Sequence, residues 1–566
     1  MIVEKIKKQI AEALGKLGIT STSFAVELTK NLVNGDYASN VALVTARQLS
    51  SKTPAVSPLG LAEQIQEALP PDKDGYIEKV EVAGPGFLNF FVSNSYLLKV
   101  QKDILDEKNK FGYGHARDGQ KVMVEYTDPN VMKPFHVGHL MSNAIGETFA
   151  RLYEASGAMV ARVNYFSDVG LAIAKALWGM REMRMTMPNE GAPIVERTDF
   201  LGRAYAFGVK QAEENPELLA DIKEINKKIY NKTEGEALEL YKIGRRWSME
   251  HFGLLYKKLG TNFDYLIPES EVVDNGLVAC KRALDAGLFV ESEGAVVFKA
   301  EKYGLHTRVF ITKEGLPTYE AKDLGLCLRK MELFPYNLSV SVTANEQNDY
   351  FKVVFKVAEL IYPELAGKLK HVSHGMLRLP SGKMSSRTGN VITGEALIAD
   401  VERKVSEKNP DPIVASAVAI GAIKYEILKQ APGRDIIFDM EKSLSLEGDS
   451  GPYLQYAYAR AQSLLRNGKE VGLEPEVSGL EGRELLRMFA RFPEIFAEAS
   501  SLLAPQYLVT YLIQIAGAFN AYYAGNKIVD PANKQTSRHR LGLAFSLSQV
   551  LANGLGILGI PVLDRM

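Results

Sequence analysis

The sequence has very little cysteine, because Cys280 and Cys327 are the only two in 566 residues and they stand far apart. Two such cysteines exclude a disulfide framework and every zinc site that is built from Cys-x-x-Cys ligands. We therefore expect no structural metal. We also expect both thiols to be reduced packing residues in a core.

A surplus of charge of either sign is also absent, because 67 Lys and Arg face 68 Asp and Glu, which gives a formal net charge of -1. Without an overall positive field, any RNA partner must be bound by local basic patches. No segment offers the ~20 uninterrupted apolar residues of a membrane span, and the start of the chain lacks the apolar core of a signal peptide. The sequence predicts a cytoplasmic protein with no membrane partner.

The chain is too long for one hydrophobic core, since single cores stop growing near roughly 250 to 300 residues. The first part places Ile6, Ile10 and Leu14 at helical spacing. A second helix is expected near Leu59 to Leu69, and the stretch 77–92 predicts two strands joined by a Gly-Pro-Gly turn. Residues 1–112 are therefore predicted to form a small α+β domain.

From Lys121 the pattern changes to strand, turn, helix and strand, with a strand at Val122 to Tyr126, a helix as far as about Ala155 and a strand at Met159 to Tyr165. This order is typical of a doubly wound, Rossmann-like α/β fold. Residues of about 185–258 are rich in Glu, Lys and Leu and predict a helical insertion. We expect further strands of the parallel sheet at 296–298, 308–311 and 338–342. The predicted Rossmann-like domain spans 113–400, and 401–566 predict an all-α bundle.

Two short motifs carry the chemistry. A turn after the first predicted parallel strand reads His136-Val-Gly138-His139, in which glycine permits close backbone approach and the imidazoles can donate to phosphate oxygens at a helix start. Far downstream, Lys383-Met384-Ser385-Ser386-Arg387 forms a cationic segment that can contact the same phosphates.

The two motifs resemble the signatures of the class I aminoacyl-tRNA synthetases, and the surrounding sequence is similar to the arginyl-tRNA synthetases in particular. Residues 35–40 and 83–89 resemble the N-terminal domain of that family. Residues 317–323 resemble its amino-acid pocket, and 451–460 resemble the start of its C-terminal helical domain. The resemblance implies ATP-dependent activation of L-arginine to arginyl-adenylate, followed by transfer to the 3′-terminal adenosine of arginine tRNA.

The resemblance also implies which residues bind ATP, which is used with Mg²⁺. His136 and His139 would contact the phosphates and the adenosine side, and Gly138 would leave room for adenine. Lys383 would hold the β and γ phosphates, and the following residues, Met384, Ser385, Ser386 and Arg387, would complete the ATP site. The second lysine of the class I signature is replaced here by Ser386. We hypothesise that Lys133, just ahead of the histidine turn, supplies the missing cation, with Arg387 as the alternative.

Selection of arginine requires acids, because a guanidinium presents a planar fork of five N–H donors. The positions that match the family's arginine pocket are Glu125, Asn130, Tyr319, Asp323 and Gln347. Asp323 follows Tyr319 by four residues, so the two face the same way on a helix. The chain departs from the family at Tyr350, where a histidine is frequent.

The same resemblance implies tRNA contacts at Phe87 and Asn89, and in the C-terminal helices at Tyr456 and Arg460, where aromatic rings can stack on bases. We expect a monomer. Three alternatives stay open: a class I synthetase for another amino acid, a tRNA-binding relative that has lost catalysis, and a simpler nucleotidyltransferase.

Overall fold

The computed structural model describes residues 2–20, 23–29, 31–49, 56–378, 393–473 and 481–566. The N-terminal part consists of α1 (Ile2–Lys16), β1 (Val26–Leu28), β2 (Tyr37–Ser39), α2 (Val41–Leu49), α3 (Pro58–Ala68), β3 (Ile77–Ala83), β4 (Phe87–Val92) and α4 (Asn94–Glu107). Its strands form an antiparallel sheet in the order β1-β2-β4-β3.

The predicted α+β character of this N-terminal part is confirmed. Helix α1 buries Ile6, Ile10 and Leu14 as its periodicity requires. Strands β3 and β4 form the expected hairpin, and Gly84 and Gly86 in its turn both have positive φ, which glycine adopts without strain. Helix α2 was not predicted, because its nine residues are too few for a clear helical period.

The central part begins with β5 (Lys121–Glu125), α5 (Val137–Ala155), β6 (Met159–Phe166), α6 (Leu171–Glu182), α7 (Ile194–Glu214), α8 (Leu218–Tyr230), α9 (Glu236–Lys258), β7 (Tyr265–Pro268) and α10 (Glu269–Asp285). It continues with β8 (Val290–Ser292), β9 (Ala295–Phe298), β10 (Arg308–Ile311), α11 (Tyr319–Leu333), β11 (Leu338–Ala344), α12 (Asn348–Ile361) and β12 (Leu369–His374). Helices α7, α8 and α9 occupy the stretch predicted to be helical.

The main sheet is parallel throughout, in the order β12-β11-β5-β6-β7. Strand β5 lies at its centre, and Val122, Met123 and Val124 are completely buried. Such a continuous apolar run is typical of a strand that is covered by helices on both faces. The carboxyl ends of β5, β6 and β11 therefore meet at one edge of the sheet.

The prediction of parallel strands at 296–298 and 308–311 was wrong. These residues form β9 and β10, which belong to a separate antiparallel sheet with the order β10-β9-β8. Only Glu293 and Gly294 connect β8 to β9, and both have positive φ. A two-residue connection can make a hairpin, whereas parallel neighbours need a crossover of a dozen or more residues.

The C-terminal part is mostly helical: β13 (Leu377–Arg378), α13 (Gly394–Ser406), α14 (Pro412–Leu428), β14 (Ile436–Ile437), α15 (Met440–Ser443), α16 (Gly451–Asn467), α17 (Arg483–Phe489), α18 (Phe492–Leu502), α19 (Pro505–Gly525) and α20 (Lys534–Ile557). The short β13 and β14 pair in parallel. No helix in the described ranges is long and apolar enough to cross a membrane.

The three parts pack on one another. One hydrophobic cluster contains Ile6 from α1, Phe149 from α5 and Leu512 from α19. A second cluster, around α10, α11 and α12, contains both cysteines, which are free and buried as predicted. Lys424 of α14 donates to the carbonyls of Leu259 and Gly559 at 2.7 and 2.8 Å, so it joins the ends of α9 and α20.

Candidate active site

The loop from β5 to α5 is held in a strained conformation. Thr127, Asp128 and Met132 have φ of 83°, 46° and 60°, a region that non-glycine residues rarely adopt. Neighbouring side chains fix the backbone: the Thr127 N–H donates to Ser142 Oγ at 3.0 Å, and the Met132 N–H donates to Ser248 Oγ at 2.8 Å. The loop is therefore pinned both to α5 and to α9.

At the start of α5 the two histidines stack on each other. The ring centroids of His136 and His139 are 3.5 Å apart at an interplanar angle of 24°, and the His136 N–H donates to His139 Nδ1 at 3.3 Å. Burial lowers the pKa of His136 to about 4, and Lys133 and His374 act in the same direction. Burial also lowers the pKa of His139 well below its usual range. Both imidazoles are therefore neutral at neutral pH.

Gly138 leaves space that the histidine pair requires. A Cβ atom at this position would lie 2.9 Å from Nδ1 and 3.0 Å from Cε1 of His136. Any side chain here would displace the His136 ring. The glycine thus sets the position of the imidazole over the first turn of the helix.

Beside the histidine turn, the ends of β5 and β6 and the starts of α10, α11 and α12 enclose a cleft of about 560 Å³. All the residues that sequence reasoning assigned to the arginine pocket line this cleft, namely Glu125, Asn130, Tyr319, Asp323 and Gln347, and Lys133 lines it too. The sequence interpretation thus selected residues that the fold brings together from separate stretches of chain.

Three acids of the cleft have cationic partners. Lys330 Nζ lies 2.7 Å from Glu125, and Lys322 Nζ lies 2.6 Å from Glu269. Both of these pairs are buried. Arg308 and Glu320 form a looser pair at 3.6 Å.

Two further acids, Asp128 and Asp323, form no ion pair with any Lys or Arg in the described residues. Burial raises the pKa of Asp323 to about 7, a hydrogen bond from Tyr350 opposes this, and the nearby Glu125 adds to it. Burial and Glu125 likewise raise the pKa of Asp128 well above its usual range. A cation bound in the cleft would stabilise the ionised forms of these two carboxyl groups and lower their pKa values.

Lys133 lies on the wall between this cleft and a smaller cavity of about 210 Å³. Its ammonium group stands 5.0 Å from the centre of the Tyr205 ring. It forms no ion pair with an Asp or Glu of the described ranges. The cation is thus near the histidine turn and available to an anion.

Residues Lys383, Met384, Ser385, Ser386 and Arg387 lie outside the described residues. Where the description resumes, Thr393 pairs with His136 in an antiparallel bridge, and the Gly394 N–H donates to the Phe135 carbonyl at 2.7 Å. Glu395 Oε1 lies 2.7 Å from His251 Nε2 of α9. Described residues 393–395 therefore lie beside the histidine turn and α9.

The residues predicted to contact tRNA differ in exposure. Phe87 is 37% exposed, whereas Asn89, in the middle of β4, is 5% exposed. The Arg460 guanidinium lies between the rings of Tyr456 and Tyr523, 4.8 and 5.3 Å from their centres. Phe87 and Tyr523 are partly exposed, and Tyr456 and Arg460 are half-buried, whereas the burial of Asn89 favours a structural role.

Sequence reasoning missed Asp128, Glu269 and Lys330. Lys330 follows Asp323 by seven residues, which is two helical turns on the same face of α11, and this spacing was a usable signal. Asp128 and Glu269 stand in a strained loop and at a helix start that no periodicity marks. No group of three or more His, Cys, Asp or Glu within the described ranges is arranged to hold a metal ion.

Three family models match successive parts of this chain. A family model described as the catalytic domain of class I tRNA synthetases (R) matches residues 100–440. An anticodon-binding domain model named DALR matches 454–566, and an arginyl-tRNA synthetase N-terminal domain model matches 4–92.

Among curated relatives, an arginine–tRNA ligase of Clostridium botulinum strain Alaska E43 is 32% identical over 99% of this chain and 100% of its own length. One from Clostridium beijerinckii is 31% identical over 99% of this chain and 100% of its own. Among solved structures, Thermus thermophilus arginyl-tRNA synthetase superposes with a TM-score of 0.82 at 27% identity and covers both chains fully. The Plasmodium falciparum enzyme shares the fold, with a TM-score of 0.79 at 20% identity over 100% of this chain and 99% of its own.

Proposed function

Because the chain belongs to the arginyl-tRNA synthetases of class I, we propose specific roles for its residues in that reaction. The protein is an arginine–tRNA ligase: it activates L-arginine with ATP to arginyl-adenylate and transfers arginine to the 3′-terminal adenosine of its tRNA, with release of pyrophosphate and AMP. These roles rest on one observation: Asp128 and Asp323, in the cleft beside the histidine turn, form no ion pair within the described residues.

We propose that Asp323 receives the guanidinium of arginine. Tyr319 and Gln347 line the same cleft and can complete the contacts of the guanidinium. Glu125 ends β5 and Asn130 lies in the loop between β5 and α5, next to the histidine turn, where the α-amino end of the substrate must lie for its carboxylate to reach ATP. Charge-assisted bonds of this kind contribute roughly 1.5 to 3 kcal/mol each, which favours arginine over uncharged citrulline.

The histidine turn is proposed to bind ATP. Neutral His136 and His139 donate N–H groups to phosphate oxygens at the start of α5, where the helix dipole also favours negative charge. In-line attack of the arginine carboxylate on the α-phosphate requires no protein nucleophile, so catalysis consists of positioning and charge stabilisation. Lys383 and its neighbours 384–387 remain proposed ATP contacts on sequence grounds.

Lys133 is proposed to supply the cation that Ser386 does not. Its position on the wall next to the histidine turn supports this role, because a substrate carboxylate and an α-phosphate must meet there. We also propose that ATP arrives as its Mg²⁺ complex. Glu125 and Glu269 already hold lysines, so the cleft offers few free carboxylates to the ion, and the phosphates would hold it.

We propose that the chain forms three units with boundaries near residues 112 and 400, and that the first and the last of them contact tRNA. Phe87 would stack on an unpaired base, and the Tyr456–Arg460 group would contact RNA from the C-terminal helices. The enzyme is proposed to act as a cytoplasmic monomer.

The test is arginine-dependent exchange of labelled pyrophosphate into ATP, measured with and without arginine tRNA. We expect exchange with arginine and tRNA together, and none with citrulline or lysine. Asp323→Ala should raise the KM for arginine well over tenfold. An unchanged KM would remove Asp323 from the substrate site, and exchange with another amino acid would require a new assignment of the pocket.

A further inference from the structure

Asp323 is held by one hydrogen bond that comes from a different helix. Tyr350, in the first turn of α12, donates its hydroxyl to Asp323 Oδ2 at 2.6 Å. The other carboxylate oxygen, Oδ1, accepts no hydrogen bond from the described residues. Asp323, which lines the cleft, therefore has one oxygen fixed by Tyr350 and a second oxygen that is available to a ligand.

Tyr350 is itself fixed on both sides. Its ring meets the ring of Phe351 edge-on, with centroids 5.2 Å apart at 89°, and Phe351 stacks on His371 at 4.3 Å. The Arg308 guanidinium stands 5.9 Å from the centre of the Tyr350 ring. The hydroxyl is thus presented to Asp323 by a ring that has little freedom to turn away.

We propose that Tyr350 is a positioning residue for arginine: its hydroxyl orients the Asp323 carboxylate so that Oδ1 faces the incoming guanidinium. A planar guanidinium bonds well only to a carboxylate at a fixed angle. A carboxylate without that donor turns about its terminal torsion, which is broad. The inference rests on the proposed role of Asp323.

The hydrogen bond also acts on the ionisation of Asp323. Other charged or titratable groups surround this carboxyl on every side: Glu125 and Asp128 from the strand β5 and its loop, Tyr165 from β6, Glu269 from α10, Arg308 from β10, and Tyr319, Lys322 and Lys330 from its own helix. The acids and burial raise the pKa of Asp323, whereas Tyr350 and Lys322 lower it. Loss of the Tyr350 hydroxyl must therefore raise that pKa further.

The experiment compares Tyr350→Phe with the wild-type enzyme by pyrophosphate exchange in the presence of tRNA, from pH 6 to 9. We expect kcat/KM for arginine to fall about tenfold at pH 7.5, as for the loss of one hydrogen bond to a charged group, with the KM for ATP unchanged. In the wild type kcat/KM should rise through about pH 7 as Asp323 ionises. In the variant this rise should move upward by about one pH unit.

Tyr265→Phe is the matched control. Tyr265 donates its hydroxyl to the Leu333 carbonyl at 3.2 Å, at the far end of α11, and it does not line the cleft. Tyr265→Phe should leave the pH dependence of kcat/KM unchanged. Thermal unfolding of both variants tests whether each folds. In an Asp323→Ala background, Tyr350→Phe should have no further effect on kcat/KM.

The outcomes separate the two claims. If Asp323→Ala leaves kcat/KM unchanged, the proposed role of Asp323 fails. If Asp323→Ala lowers it but Tyr350→Phe changes neither kcat/KM nor the pH profile, only the role of Tyr350 fails. A fall in kcat/KM without a shift of the profile, or an equal fall in the Asp323→Ala background, would also overturn it, because the hydroxyl would then not act through Asp323.

Discussion

Lys133 is proposed to replace the second lysine that the downstream motif lacks, so its removal should have a clear effect on activity. Lys133→Ala should lower the rate of pyrophosphate exchange at saturating arginine and ATP by about 100-fold, the usual cost of losing one group that stabilises developing charge. The KM for arginine should change much less. Lys210→Ala, an exposed lysine of α7, is the control that should leave the rate unchanged. A rate within a few-fold of wild type would show that another group supplies the cation.

Asp323 is proposed to give specificity for arginine, and it should also destabilise the folded protein at high pH. Burial raises its pKa to about 7 in the folded protein, above the ordinary value of an aspartate, so the unfolded chain releases this proton more readily. The raised pKa of Asp323 therefore favours the folded state at low pH, and this contribution to stability is lost as the pH rises through about 7. Asp323→Asn should therefore stabilise the protein at pH 8, by on the order of 1 to 3 kcal/mol, and have little effect near pH 4. Denaturant unfolding at the two pH values tests this. Equal effects at both would contradict it.

The sequence was informative for single residues where a motif placed them. Glu125, Asn130, Tyr319, Asp323 and Gln347 were chosen by position and all line one cleft. It was not informative about their partners. Lys322 and Lys330 neutralise two acids only because α11 packs beside α10 and below the end of β5, and such pairing across the fold leaves no local pattern.

Helix α5 carries the histidine pair on its first turn, and Gly138 decides where the pair lies. Gly138→Ala should favour the helix by up to about 1 kcal/mol on propensity alone. It should nevertheless lower exchange activity by about tenfold or more, because the new Cβ displaces the His136 ring. Gly253→Ala on α9 is the control, since its added Cβ meets no atom within 4 Å beyond its chain neighbours and the backbone of its own helix. Full activity in Gly138→Ala would show that the His136 position is not required.

Strands that have an apolar run and a turn signal could be predicted from the sequence. The sheet to which each strand belongs could not always be predicted. Strands β5, β6 and β11 were found and do form the parallel sheet. Strands β9 and β10 were found but placed in the wrong sheet, because the two-residue turn at Glu293 and Gly294 was not weighed. Pairing depends on the connection as much as on the strand.

At the scale of the whole molecule, Asp36 joins the N-terminal sheet to the C-terminal helices. It is 1% exposed, accepts a hydrogen bond from the Val92 N–H at 2.8 Å, and lies 2.9 Å from Nε of Arg487 and 3.3 Å from Nη2 of Arg483. Both arginines belong to α17. One buried carboxylate thus links the two parts through both arginines.

Asp36→Ala should lower the free energy of unfolding by about 3 kcal/mol, because it leaves two arginines without their anion. It should also raise the KM for tRNA more than the KM for arginine, since the two parts proposed to contact tRNA lose their fixed relation. Lys352→Ala, which breaks an exposed pair with Asp349, should change neither quantity appreciably. Parallel increases in both KM values after Asp36→Ala would contradict the proposed coupling.

The same interface has a consequence for biosynthesis. Arg487 is 451 residues downstream of Asp36. At about 5 to 20 residues per second, the nascent chain presents Asp36 to solvent for roughly 20 to 90 seconds before its partner leaves the ribosome. Throughout that time the N-terminal sheet lacks the surface that finally covers it. This contact therefore joins a part of the protein that is made early to a helix that is made only after every strand of the parallel sheet has been synthesised.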